Sequence, residues 1–149
     1  MNIMLIASSG GHLSELKKIY LYKEEKNIVI TEKTNKKINR NNVEYLVYGS
    51  RKNKIKYPFI FLYNFFLSFK YLKKYKPNLI ISTGAHSCVT FFWLAKFFKI
   101  KTIYIESFAR VNTPSLTYKL IKNQIDVLIV QHKSMLEVYP NAIYLGSVY

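Results

Sequence analysis

Ile3-Met4-Leu5-Ile6-Ala7-Ser8-Ser9-Gly10-Gly11-His12-Leu13-Ser14-Glu15-Leu16 stands almost at the head of the chain, and its reading decides the fold. Five apolar residues run unbroken into a turn of small ones, and an amphipathic segment (Leu13, Leu16, Ile19, Tyr20) opens directly after it. The order is strand, glycine turn, helix. Gly10 and Gly11 let a ligand approach the backbone, while the helix N-terminus offers unpaired N–H groups to an anion. This is the first ligand loop of an open α/β sheet. Read alone, the same residues make no more than a tight strand-to-helix turn.

Working outward, short apolar runs rich in β-formers recur: Asn2–Ala7, Asn27–Thr31, Val43–Tyr48, Asn78–Ser82, Lys101–Glu106, Asp126–Gln131 and Ala142–Leu145. Helical segments are predicted between them at His12–Tyr22, Lys33–Asn39, Tyr57–Tyr75, His86–Phe98, Ser115–Lys122 and Lys133–Tyr139. Strands that are apolar throughout and alternate with helices predict a mostly parallel sheet covered on both faces. The expected fold class is therefore α/β, a Rossmann-like doubly wound domain, with residues 1–149 forming one domain. The basic stretch Arg51–Lys56 is the one loop of some length.

Ligands of such sheets bind beyond the carboxyl ends of the strands. That rule selects Ser8–His12, Thr83-Gly84-Ala85-His86-Ser87, Glu106-Ser107-Phe108-Ala109-Arg110 and Gln131-His132. His12, in the first helical turn where the dipole disfavours a positive charge, is expected to act as a neutral hydrogen-bonding group or base. Glu15, one turn on, suits the start of a helix. Glu106 closes an apolar strand and needs a partner if buried; Arg110 is the candidate, or else a phosphate ligand itself. His86 and His132 read as caps or packing residues.

The chain of 149 residues is half apolar, which excludes intrinsic disorder. Lys and Arg number 23 against 8 acids, a net +15 that suits an anionic membrane surface, an acidic partner or a nucleic acid. Only Arg40, Arg51 and Arg110 are arginine, which argues against specific nucleic-acid readout. Cys88 is the only cysteine, set among apolar residues, and reads as a packing residue in a reducing compartment. Met1-Asn2-Ile3-Met4 does not read as a signal peptide, and the sequence has no Gly-x-Gly-x-x-Gly fingerprint and no Gly-Lys-Ser/Thr phosphate loop. Metal-ligand spacing is also missing, and Asp126, the sole aspartate, rules out an Asp-x-Asp metal motif. No metal and no cofactor are expected.

The segment Tyr57–Lys76 is unusually apolar and aromatic, with Phe61, Phe65, Phe66 and Phe69 at its centre. Arg51, Lys52, Lys54 and Lys56 precede it, and Lys70, Lys73, Lys74 and Lys76 follow. A helix of about 13 apolar residues reaches roughly 20 Å, short of the ~30 Å hydrocarbon core. It is expected to dip into one leaflet while lysines meet anionic headgroups; burial between the sheet and a neighbour is the alternative. Phe91-Phe92-Trp93-Leu94 and Phe97-Phe98 add a second aromatic helix, more than a core of this size needs.

These blocks, in this order, resemble the PssD/CpsF-type bacterial polysaccharide-biosynthesis proteins: Ser9-Gly10-Gly11-His12-Leu13-x-Glu15, Ser82-Thr83-Gly84-Ala85, Glu106-Ser107-Phe108-Ala109-Arg110-Val111, Asp126-x-x-Ile129-Val130-Gln131 and Tyr139-Pro140-x-Ala142-x-Tyr144-Leu145-Gly146. The eukaryotic relative of that family is the membrane-recruiting subunit of the two-part N-acetylglucosaminyltransferase of asparagine-linked glycosylation. The resemblance implies the N-terminal, acceptor-side half of a GT-B glycosyltransferase, similar to that of MurG. A donor-binding subunit on a separate chain is the implied partner, a polyprenyl-diphosphate-linked sugar the acceptor, and the cytoplasmic face of the cell membrane the place. The last matching block lies at the chain's end, in keeping with a donor half supplied separately. The relative's N-terminal membrane anchor has no counterpart before Asn2, so attachment would rest on the basic, aromatic helices or on other proteins.

For an inverting transfer, His12 is the first candidate base and Glu106 the second. Ser9, Gly10, Gly11, Thr83, Gly84, Ser107 and Arg110 are the candidate acceptor and phosphate contacts. The membrane contacts would be Phe61, Phe65, Phe66, Phe69, Lys70, Lys73 and Lys74. Three other readings compete: a non-catalytic membrane scaffold, a complete small-molecule enzyme, and a basic nucleic-acid-binding domain that leaves the aromatic helix unexplained.

Overall fold

The structure, a computed structural model, describes residues 1–35, 38–49 and 55–149. Strands β1 (Ile3–Ile6), β2 (Ile28–Glu32), β3 (Val43–Leu46), β4 (Leu79–Ser82), β5 (Lys101–Ile105), β6 (Val127–Val130) and β7 (Ile143–Tyr144) form one sheet. All pairings are parallel, in the order β3-β2-β1-β4-β5-β6-β7. Order reverses between β1 and β4, where the register sets Ile6 beside Ser82. A doubly wound sheet opens its ligand crevice at such a switch point.

Side chains of period two send each strand into both faces. From β1, Met4 and Ile6 enter one core with Ile30, Ile80 and Tyr104; Ile3, Leu5 and Ala7 enter the other with Val29, Ile81 and Ile105. The first face is covered by α3 (Lys56–Tyr75), α4 (Val89–Phe97) and α5 (Leu116–Ile121), through Tyr71, Leu72, Phe91, Phe92 and Ile121. The second is covered by α1 (Gly11–Lys18) and α2 (Tyr20–Lys23), through Leu16 and its partly buried neighbours Leu13, Ile19 and Leu21. Helix α6 (Met135–Val138) packs Met135 on Val130 and Tyr139 at the sheet's far edge.

Several expected segments differ in detail. The segment predicted as one helix over His12–Tyr22 breaks at Ile19, whose extended backbone (ψ 131°) turns Leu21 and Tyr22 onto the second core. The predicted helix Lys33–Asn39 is not formed by its described residues; Lys36 and Lys37 lie outside them. Arg40 explains this, because its guanidinium donates to the carbonyls of Tyr22, Glu24 and Asn27 and pins the connection to the α2–β2 turn. Asn35, Asn39, Asn41 and Asn42 also compete with helical backbone bonding. The loop Arg51–Lys56 falls mostly outside the described residues, and Lys56 begins α3.

Helix α3 has 20 residues, a length of about 30 Å. Pro58 lies in its first turn, where no backbone bond is lost, and left-handed Lys76 (φ 43°) followed by Pro77 ends it. Its faces divide differently from the expected membrane contacts. Phe61, Phe65 and Phe69 pack inward on the core, Phe61 against Trp93 and Phe69 against Phe98. The outward stripe is Phe59, Leu62, Tyr63 and Phe66, exposed by 72, 55, 56 and 62%. Spacings of three and four residues put those four on one side. Lys70 and Lys73 are exposed too, whereas Lys74 is drawn to Glu44 at 2.7 Å. Among the described residues no helix is long and apolar enough to cross a membrane.

Candidate functional site

Four connections follow the carboxyl ends of β1, β2, β4 and β5, and side-chain bonds tie them into one rim. Ser8 Oγ and Ser87 Oγ are 2.8 Å apart across the switch point. Beyond Ser9, Gly10 adopts φ +89°, a conformation open to glycine, and Gly11 begins α1 with open space about its Cα. That turn brings His12 against the β4 loop. Its Nδ1 is 2.8 Å from the Thr83 carbonyl, and Thr83 Oγ1 donates to the His12 carbonyl at 2.7 Å. A carbonyl only accepts, so the proton lies on Nδ1 and Nε2 of the neutral ring keeps its lone pair. Gly84 (φ +113°) makes room for the ring: a Cβ there would lie 3.1 Å from it and 3.3 Å from Tyr104 Oη.

Three of the chain's eight acids are buried at this rim: Glu15, Glu32 and Glu106, 4, 3 and 1% exposed. Glu15 reaches from α1 to the β5 loop, accepting from Ser107 Oγ at 3.0 Å, the Phe108 amide at 3.2 Å and Gln131 Nε2 at 3.4 Å. Burial raises its carboxyl above the ordinary 4.5, and those hydrogen bonds with the nearby His12 offset only part of the rise. Glu106 accepts from the Ser107 amide (3.0 Å), the Ser115 amide (3.3 Å), Tyr104 Oη (3.4 Å) and Tyr139 Oη (2.6 Å). Arg110 is not among these donors and makes no ion pair among the described residues, which corrects the expected Glu106–Arg110 pair. Four donors from its own neighbourhood satisfy Glu106 instead. Burial, then the bond to Glu106, raises the Tyr139 hydroxyl; burial and the Glu106 charge do the same to Tyr104.

Glu32 was not singled out by sequence reading, although it ends β2 as Glu106 follows β5. One of its oxygens accepts from the Ser9 amide (3.3 Å) and hydroxyl (3.2 Å); the other stands 2.8 Å from His86 Nε2, a close contact without hydrogen-bond alignment. His132, read as a cap or packing residue, donates to the Phe108 carbonyl at 2.7 Å and packs on its ring. Burial pushes the Cys88 thiol up to about 12, which leaves it an inert packing group.

The rim encloses a cavity of about 290 Å³, lined by His12, His86, Glu106, Ser107, Arg110 and Thr117 among others. Four expected site residues thus share one wall. Thr83 and Gly84 support His12 from behind, and Ser9, Gly10 and Gly11 form the adjoining turn. A larger cavity of about 480 Å³, with Lys96, Lys99, Lys101 and Asp126 on its wall, opens at the amino ends of β5 and β6. Parallel sheets do not hold their ligands at that end. Among the described residues, no group of three His, Cys, Asp or Glu side chains could hold a metal ion.

The family model described as oligosaccharide biosynthesis protein Alg14 like matches residues 3–148. The UDP-N-acetylglucosamine transferase subunits ALG14 of Mus musculus and Homo sapiens are each 26% identical to this chain, over 99% of it and 83% of their own length. Among solved structures, Acinetobacter baumannii MurG superimposes on 89% of the chain with a TM-score of 0.69 and 15% identity. The UDP-GlcNAc 2-epimerase of Methanocaldococcus jannaschii covers 99% with a TM-score of 0.73 and 14% identity. The chain spans 42% and 46% of those two structures, less than half of each. At such identities the likeness is one of fold, the Rossmann-like fold of GT-B glycosyltransferases.

Proposed function

Because the chain belongs to the Alg14-like family of oligosaccharide-biosynthesis proteins, we propose that it is the acceptor-side subunit of a two-chain glycosyltransferase. It binds a polyprenyl-diphosphate-linked sugar and docks a separate donor-binding chain over its cleft, at the cytoplasmic face of the cell membrane. The product is a lipid-linked oligosaccharide or a capsular or extracellular polysaccharide. The observation that carries the reading is that His12 and Arg110 line one switch-point cavity, His12 Nε2 having no hydrogen-bond partner among the described residues.

In this mechanism a hydroxyl of the acceptor sugar attacks the anomeric carbon of the donor. The new C–O bond forms as the bond to the UDP leaving group breaks with inversion, and His12 Nε2 takes the hydroxyl proton. The partner chain holds the departing diphosphate. Arg110 meets the acceptor's diphosphate, whose close approach Gly10 and Gly11 permit. Glu106, satisfied by four donors, holds the β5 loop and thereby Ser107 and Arg110; it is second to His12 as a base.

Contact with the membrane falls to the stripe Phe59, Leu62, Tyr63 and Phe66, flanked by Lys70 and Lys73. Rings of this kind enter the headgroup boundary while lysines meet anionic lipids.

Reconstitution tests the reading. The chain and a donor-binding partner, incubated with UDP-N-acetylglucosamine and a polyprenyl-diphosphate-linked sugar, should give product only together. Full activity of the partner alone would return this chain to the role of scaffold.

A further inference from the structure

Glu15 is a buried carboxyl that the mechanism leaves idle. A glutamate in the early turns of a helix gains from the dipole while it stays in water. Glu15 is instead 4% exposed, and none of its hydrogen bonds goes to its own helix. Burial raises the carboxyl above its ordinary 4.5, so its ionisation works against folding. Support of helix α1 therefore does not account for it, and a group held against the interest of the fold beside a cleft points to function.

Its two oxygens reach two loops. Oε1 accepts from the Ser107 hydroxyl at 3.0 Å and the Phe108 amide at 3.2 Å. Those donors open the turn Ser107–Arg110, which closes with the Arg110 amide on the Ser107 carbonyl at 2.9 Å and the Ala109 amide on Ser107 Oγ at 3.4 Å. Oε2 accepts from buried Gln131 Nε2 at 3.4 Å, and Gln131 also donates to the Glu106 carbonyl and accepts from the Val148 amide, at 3.0 and 3.1 Å. Glu15 is not on the cavity wall, whereas Ser107 and Arg110 are. Among the described residues Arg110 makes no ion pair, so the turn beneath it sets its position. His12 stands one turn before Glu15 on α1. The helix is thus tied to the β4 loop through His12 and to the β5 loop through Glu15.

We propose that Glu15 is a positioning residue for acceptor binding: by holding the Ser107–Arg110 turn against α1, it sets Arg110 where the acceptor's diphosphate lies. It acts through Arg110 and touches no substrate, a role that rests on the acceptor-side reading above. His12 keeps its own tie to Thr83, so the proton transfer does not depend on Glu15.

Steady-state kinetics of the reconstituted complex test it, with polyprenyl-diphosphate-linked N-acetylglucosamine as the varied substrate. Glu15→Ala should raise the acceptor KM about tenfold and leave kcat within about threefold of wild type. Glu15→Gln keeps an oxygen for Ser107 and Phe108, and should bring KM back to within about threefold. Arg110→Ala should raise KM about tenfold, and Glu15→Ala/Arg110→Ala no more than about threefold beyond that, because the two changes remove one interaction. A side chain that merely supported the fold would give losses that multiply. Where Glu15→Ala does not fold, Glu15→Asp, too short to reach the turn, takes its place with the same expected values. A wild-type KM in Glu15→Ala, multiplying losses in the double variant, or a KM for Glu15→Gln as high as for Glu15→Ala overturns the assignment. A fall in kcat with KM unchanged overturns it too. If Arg110→Ala keeps the wild-type KM, or wild type makes no product from the lipid-linked sugar, the acceptor-side reading itself fails.

Discussion

His12 Nδ1 meets the carbonyl of Thr83 at 2.8 Å, joining the helix that follows β1 to the loop that follows β4. The bond crosses the switch point between β1 and β4, where the strand order reverses. It sets which nitrogen carries the hydrogen, and in the neutral ring leaves Nε2 its lone pair.

The room for that ring comes from Gly84. In Gly84→Ala the new Cβ meets His12 at 3.1 Å and must hold φ +113°. We expect a stability loss of about 2 kcal/mol, and at least a tenfold fall in turnover of the reconstituted complex as His12 is displaced. Denaturant unfolding and initial rates measure the two.

Glu106→Ala strands two amides and two tyrosine hydroxyls at once. At least about 3 kcal/mol should be lost, a fall of about 10 °C in Tm for a chain of this length. A variant that unfolds at the wild-type temperature would show that the β5 loop does not depend on this carboxylate.

Glu15 gives the fold a pH dependence. Burial raises its folded value above the ordinary 4.5. A carboxyl so shifted binds its proton more tightly in the folded chain, so its stability contribution is full below the unfolded value and is lost as pH rises through the folded one. Wild-type stability should therefore decline relative to Glu15→Gln as pH rises above 4.5. Parallel denaturation curves of the two proteins across pH 4 to 7, about the range where a raised carboxyl titrates, check the sign.

The double variant Phe59→Ser/Phe66→Ser removes two exposed rings of the α3 stripe without touching the core. Co-sedimentation with anionic vesicles should fall at least about tenfold. Lys70→Glu/Lys73→Glu should lose binding to anionic vesicles and not to neutral ones.

The sequence disclosed the fold where its signals were local. Short runs that are apolar throughout mark out seven strands, and the rule that ligands bind beyond the strands' carboxyl ends picks out His12, Thr83 and Arg110 before any contact is known. Glu32 escaped because the predicted strand stopped at Thr31, one residue short, although a carboxylate closing an apolar run is the signal that identified Glu106. His86 read as a cap or packing residue because its neighbour Glu32 lies at the end of another strand, a contact that only the sheet order creates. The faces of α3 were equally hidden: with apolar residues nearly all round, periodicity could not tell inward Phe61, Phe65 and Phe69 from outward Phe59 and Phe66. Arg40 ended the expected helix after β2 through three long-range carbonyl contacts that no local propensity encodes.

The central claim is that this chain supplies chemistry to an active site shared with its partner. The single-turnover rate of the reconstituted transferase with His12→Ala tests it most directly, alongside a measurement of partner affinity. The account predicts a fall of about 100-fold or more with the partner still bound at wild-type affinity. A wild-type rate in that variant would contradict it and leave this chain a scaffold.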